Sequence, residues 1–188
     1  MTGSVSRTLD LAVPEAGTVT ARVDAPTTPV SGAPALILAH GANNNLDNPL
    51  LSHVAEHLAA SAGVTVLRFN FPYVEREAKT PDSAPVLGRT FRYAHDYLHL
   101  ELVPAGTPLF AGGKSLGGRV AAELVSRQPE GDGIEVAGLI ELGYPLHAPG
   151  RKDRSNVKPL RHIDVPSLFC VGSRDVFCDV ELLRPILP

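Results

Sequence analysis

Short apolar runs alternate along the chain with amphipathic stretches, and the alternation predicts strands and helices in turn. "TVTARVDAP" (18–26) puts apolar side chains at every second position and stops at a proline, the pattern of a leading strand. "ALILAH" (35–40) is a continuous apolar run, as expected of a central parallel strand covered on both faces. In residues 48–63, Leu50, Leu51, Val54 and Leu58 fall at helical spacing, Asn48 can cap the first turn, and Gly63 can end the helix. "VTVLRFNFP" (64–72) is β-branched and aromatic and reads as a strand closed by Pro72. Residues 73–88 are polar and broken by Pro81, Pro85 and Gly88, which predicts a loop. A helix over 89–103, a strand over 108–113 and a helix over 115–128 follow. A strand over 136–143, a long loop over 144–163, a strand over 165–173 and the start of a helix after Asp175 complete the reading.

Strands alternating with helices imply right-handed crossovers and a mostly parallel sheet with helices on both faces. In such sheets functional residues gather just beyond the C-terminal ends of the strands. The 188 residues fit one α/β domain with a real core, and no repeat or low-complexity linker divides them.

Composition changes little. The apolar fraction of 44% is ordinary for a globular chain, and the formal charge of -3 leaves no electrostatic footprint for a nucleic acid. The densest basic stretch, "RKDRSNVK" (151–158), contains an Asp and turn formers and reads as a solvated loop. No apolar leader opens the sequence, and no apolar run is long enough to span a bilayer, so a reducing, cytoplasmic setting without membrane contact is expected. Cys170 and Cys178 do not form C-x-x-C, and Cys170 lies in an apolar run where a small core residue is expected. No cofactor is expected.

Residues 110–120, "FAGGKSLGGRV", carry the chemistry. Gly113-Lys114-Ser115 has the ending of a phosphate-binding loop, but that loop needs a glycine at position 108, where Pro108 stands without an N–H. The same residues are G-x-S-x-G between a predicted strand and a predicted helix, the context of a nucleophile elbow. Gly113 and Gly117 supply the small residues that a tight strand-to-helix crossing needs, and Ser115 is the candidate nucleophile. The plainer alternative is a serine that caps the helix. An elbow needs an oxyanion site. The N–H of Leu116, first in the helix, is one candidate donor; the N–H of Ala42, after the close-approach Gly41, is the other. Asp175, beyond the strand "LFCVG", is the candidate acid, with a helix cap as its plainer role and Asp179 as the weaker choice.

"HGANNN", "RFNFPY", "FAGGKSLGGR", "LGYPLHAPG" and "LFCVGSRD" together resemble the α/β-hydrolase superfamily. More narrowly, they resemble the small lidless proteins related to the testis-expressed protein thirty and to subunit three of the NSL chromatin complex. The resemblance covers nearly the whole chain from about residue 15. It implies an α/β-hydrolase sheet, Ser115 as nucleophile and Asp175 as the acid of a triad, and it implies no particular substrate.

Hydrolases of this kind carry the triad histidine after a further strand, in the order Ser, acid, His. None of the seven histidines follows Asp175, and the sequence closes on "LLRPILP". The expectation is therefore a C-terminally incomplete domain, truncated before its last strand. His147, after a strand end, is the candidate substitute base. "HVAEH" (53–57) has the spacing of an inverted zinc-protease helix, but His53 and His57 would lie off the apolar stripe and no further ligand is assignable, so no metal is expected. An unpaired "PSLFCVG" edge, with Leu168 and Phe169 less covered, would invite a homodimer. The sequence thus points to a serine-hydrolase-type protein for a small ester or acyl substrate, with a non-catalytic scaffold or a truncated product as the alternative.

Overall fold

The computed structural model describes residues 3–153 and 155–187. Arg154 of the basic loop, with Met1, Thr2 and Pro188, lies outside the described residues.

A seven-stranded sheet has the order β1-β2-β4-β3-β5-β6-β7. Its strands are β1 (Ser4–Val13), β2 (Gly17–Pro26), β3 (Ala35–Ala39), β4 (Thr65–Phe69), β5 (Leu109–Lys114), β6 (Gly138–Leu142) and β7 (Ser167–Cys170). β1, β2 and β4 pair antiparallel; β4, β3, β5, β6 and β7 run parallel. This is the mostly parallel α/β sheet expected, with one addition. β1, which the apolar pattern does not predict, forms a hairpin with β2 through a turn in which Glu15 and Gly17 take positive φ.

Five helices cover the sheet among the described residues: α1 (Pro49–Ala62), α2 (Pro72–Glu75), α3 (Ala84–Tyr97), α4 (Leu116–Ser126) and α5 (Val180–Leu183). α1 starts at the Asn48 cap, whose side chain accepts from Leu50 N and Leu51 N, and stops at Gly63 in left-handed geometry. It buries Leu51, Ala55 and Ala59; Leu50, counted in the apolar stripe by its spacing, turns outward at 46% exposure.

The segment read as a loop over 73–88 holds α2 and the first turn of α3. Pro72 and Pro85 sit in the first turns of those helices, where a missing N–H costs nothing. Prolines that look like breakers in the sequence are starters here. α3 ends in a π-helical turn over Leu98–Leu102.

The main core lies between the sheet and the face covered by α3 and α4, around Phe69, Phe71, Phe91, Leu116 and Leu139. The opposite face is covered by α1 over Leu36, Leu38 and Val66. On the β6–β7 side that face is barer. Ile140 and Leu142 are half-buried, Leu168 is 56% exposed, and Cys170 is exposed rather than the core residue its apolar run suggested. Phe169, on the other face, is half-buried and packs edge-on against Tyr144. β7 is an edge strand, so its outer N–H and C=O groups have no neighbour strand among the described residues. Among the same residues no helix is long and apolar enough to cross a membrane.

Candidate active site

Ser115 stands between β5 and α4 with φ 51 and ψ -111, a backbone conformation that non-glycine residues adopt only when the surroundings impose it. The surroundings are backbone. A side-chain carbon on Gly113 would lie 2.5 Å from the Ala39 carbonyl oxygen, 2.7 Å from Gly117 C and 2.8 Å from Gly118 N. One on Gly117 would lie 2.5 Å from Ala39 C and 2.7 Å from the His40 oxygen. The strand β3, the strand β5 and the helix α4 thus meet where only hydrogen fits, and the chain must turn sharply at Ser115.

The serine does not cap the helix. It occupies the N-cap position, yet its side chain bonds to no N–H of the first turn. Its N–H donates to the Leu142 carbonyl at 3.1 Å, and its carbonyl accepts from Arg119 N at 3.0 Å, so the backbone is fixed while Oγ is left without a partner among the described residues. The Leu116 N–H, at the start of α4, has no intrahelical acceptor and carries the positive end of the helix dipole.

The β3 loop abuts the elbow. A side-chain carbon on Gly41 would sit 3.5 Å from Ser115 Cβ and 3.3 Å from the Lys114 oxygen. Ala42, the next residue, is exposed beside it. Sequence reasoning placed His40 only on this strand, but it is a positioning group. Its Nε2 accepts from Phe71 N at 3.1 Å, which leaves the proton on Nδ1, and Nδ1 donates to the Gly41 carbonyl at 2.8 Å. Burial lowers the His40 pKa, partly countered by the Gly41 bond, and keeps the ring neutral in that tautomer. The Tyr73 hydroxyl lies 3.5 Å from the same Gly41 oxygen. Further out, Asn70 accepts from Leu46 N at 2.8 Å, and the fully buried Arg68 donates to Asp24, the Leu46 carbonyl and Ser52 Oγ. These bonds tie the loop after β3 to β2, β4 and α1.

Asp175 lies beyond β7. Oδ1 accepts from Phe177 N at 2.9 Å in a local turn, and Oδ2 is not used by any hydrogen bond among the described residues. Oδ2 lies 3.6 Å from where a side-chain carbon of Gly143 would stand. Gly143 N donates to the Cys170 carbonyl at 2.8 Å, and the preceding Leu142 carbonyl accepts from Ser115 N. The C-terminal end of β6 therefore bridges the elbow and the Asp175 turn. The helix-cap role weighed for Asp175 belongs to Asp179, which accepts from Glu181 N at 3.0 Å and pairs with Lys152. The Lys152 bond is the largest cause that lowers the Asp179 pKa.

His147 is not placed to act as a base. Its Nε2 accepts from Asp179 N at 3.1 Å, its Nδ1 donates to the Ala148 carbonyl at 3.0 Å, and its own N–H donates to the Phe177 carbonyl at 3.0 Å. The ring pins the loop after β6 to the segment before α5, and both nitrogens are taken. It lines a cavity of about 660 Å³ with Asp175, Arg174, Val176 and Cys178. His53 and His57 are exposed on α1, stacked with centroids 6.1 Å apart. Among the described residues no group of three or more His, Cys, Asp or Glu side chains could hold a metal ion.

The fold has relatives. A family profile described as an alpha/beta hydrolase domain matches residues 32–186. A dienelactone hydrolase from Anabaena variabilis superposes with a TM-score of 0.72 at 21% identity, over 98% of this chain and 82% of that one. An alpha-beta serine hydrolase homologue from Coxiella burnetii gives 0.75 at 16% identity, over 96% and 80%. A serine hydrolase without lid from Xanthomonas campestris gives 0.69 at 23% identity, over 96% and 77%. At these identities the structures speak for the fold, and the profile, which spans most of the sequence, shows that the chain belongs to the alpha/beta hydrolase domain family.

Proposed function

We propose that the chain is a serine-hydrolase-type α/β hydrolase whose site is built for a small ester or acyl substrate. Ser115 is the nucleophile, the N–H groups of Leu116 and Ala42 form the oxyanion hole, and Asp175 is the acid. The observation that carries this reading is the strained, uncapped Ser115, whose Oγ is left unbonded at a helix start. The motifs that resemble the small lidless proteins related to the testis-expressed protein thirty support a place in that narrower group.

In the reaction the Ser115 Oγ–carbonyl carbon bond forms, the carbonyl electron pair moves onto oxygen facing the two N–H groups, and the Oγ proton leaves to a base. Collapse expels the alcohol and leaves an acyl-serine for water to cleave. The weak point is the base. Among the described residues Ser115 Oγ meets no base, and His40, His95 and His147 have both ring nitrogens engaged. An elbow without an engaged base keeps about 10³–10⁴-fold catalysis over water from the oxyanion hole and binding alone. The same observation favours the second reading, a hydrolase-fold scaffold that binds without turnover.

Added imidazole separates the two readings. Hydrolysis of p-nitrophenyl acetate is measured for the wild type and Ser115→Ala across an imidazole series. Without imidazole both are expected to be slow and nearly equal. With imidazole a component that needs Ser115 should emerge above the imidazole-only background. No Ser115-dependent component at any imidazole concentration would leave the scaffold reading standing. Fast, Ser115-dependent hydrolysis without imidazole would mean that the chain holds a base of its own.

A further inference from the structure

We propose that Glu141 is a neutral carboxylic acid that seats α4 beneath Ser115, and that its ionisation loosens this seat. Glu141 is the fourth of the five residues of β6, with no exposed surface, and its side chain faces α4. A side-chain carbon on Gly118 would collide with Glu141 Oε2 and would lie 2.9 Å from its carboxyl carbon. The carboxyl group therefore fills the space that Gly118 leaves empty, three residues past Ser115. Gly118 also approaches β5, where a side-chain carbon would be 3.0 Å from the Gly113 oxygen. Glu141 is thus one of the groups that set how closely the elbow helix lies on the sheet.

Neither carboxyl oxygen has a hydrogen-bond partner among the described residues. The strand neighbours in register are Gly113 on β5, which has no side chain, and Phe169 on β7, which is apolar. The titratable groups that act with Glu141 on the Tyr144 hydroxyl, just after β6, are Glu123 and Arg119 of α4 and Cys178. No ion pair joins any of them to Glu141 among the described residues, although Arg119 Nε is also buried without a partner. An ionised carboxylate cannot stay in such a place without a counter-charge or water, whereas a protonated one can. Desolvation alone moves the Glu141 pKa well above its ordinary value, in the same direction.

A folded pKa raised above the unfolded one leaves stability intact below the unfolded value of 4.5 and removes it as pH rises toward the folded value. Glu141→Gln keeps the shape and the neutral state and should not show that loss. From about pH 5 upward, the folding constant of the wild type relative to Glu141→Gln should fall about tenfold per pH unit until the folded pKa is reached, about 1.4 kcal/mol per unit.

Urea unfolding of both proteins across that range reads the ratio. Hydrogen exchange of the α4 amides, corrected for the base catalysis of exchange itself, reads the seat. The wild type should lose α4 protection relative to Glu141→Gln as pH rises. A ratio that stays flat with pH, or equal α4 protection in both proteins, would overturn the proposal. Should Glu141→Gln fail to fold, the sequentially assigned Glu141 carboxyl ¹³C shift in the wild type decides. A protonated shift at neutral pH supports the proposal, and a carboxylate shift there, as in a pair with Arg119, overturns it. None of these readouts needs ester hydrolysis, so they stand or fall apart from the function proposed above.

Discussion

Gly113→Ala tests the elbow where it is most tightly built. The added carbon would sit 2.5 Å from the Ala39 oxygen, well inside the 3.0 Å that such carbons essentially never cross. It would also stand 2.7 Å from Gly117 C and 2.8 Å from Gly118 N. All three are backbone atoms, on β3 and on α4, so no side chain can swing away and one element must move. Overpacking of this sort costs about 1–3 kcal/mol, and contact with two elements at once puts this site near the upper end. Replacing a strand glycine returns about 0.5–1 kcal/mol of backbone entropy, which leaves a net loss of about 2 kcal/mol. For a chain of this size that corresponds to roughly 4–8 °C in Tm. The control is Gly88→Ala on α3, whose added carbon would meet only Leu124 Cδ2, at 3.7 Å. Helix propensity should make that variant about 1 kcal/mol more stable. Urea unfolding followed by circular dichroism measures both against the wild type. Gly113→Ala as stable as the wild type, or the two variants shifting together, would refute the close crossing.

Ser115→Gly should release backbone strain and raise stability by about 1 kcal/mol, whereas Ser115→Ala, which keeps the strain, should stay within about 0.5 kcal/mol of the wild type in the same assay. Asp24→Ala removes the buried carboxylate of Arg68 and leaves it Leu46, Ser52 and the more distant Asp47 at 3.7 Å, so it should cost about 3 kcal/mol, measured by the shift in urea midpoint at constant slope. The lowered pKa of His40 gives stability that is present above the unfolded value of 6.5 and lost as pH falls toward the folded value; His40→Gln should flatten that acid limb in a pH series of unfolding. We also propose that the β7 edge, with Leu168 exposed, pairs with a second copy. Light scattering should show a concentration-dependent dimer that Leu168→Lys abolishes, and a monomer at all concentrations would sink the idea.

The elbow could be read from the sequence because its requirement is local. Gly113, Ser115 and Gly117 stand within five consecutive positions, and the contacts that demand those glycines follow from a strand running straight into a helix. β1 could not be read so easily. Of its ten residues only Leu11 and Val13 are buried, so alternation is faint, and the strand exists through its pairing with β2. Cys170 misled for a related reason. An apolar run looks the same at a sheet's centre and at its edge, and only the strand order places β7 outermost. His147 follows a strand end, as a base might, but the group that occupies its Nε2 is the backbone of Asp179, 32 residues along the chain. Glu141 gave one signal, a lone charge inside "GLIEL", and its burial depends on the glycines of α4 opposite.

Ser115 is proposed as a nucleophile with an oxyanion hole, and its Oγ meets no base among the described residues. Labelling by a fluorophosphonate, with the adduct mapped by peptide mass spectrometry, tests this central claim most directly. Labelling at Ser115 should be slow, accelerated by imidazole and absent in Ser115→Ala. Rapid labelling without imidazole, or an adduct on a residue other than Ser115, would contradict it.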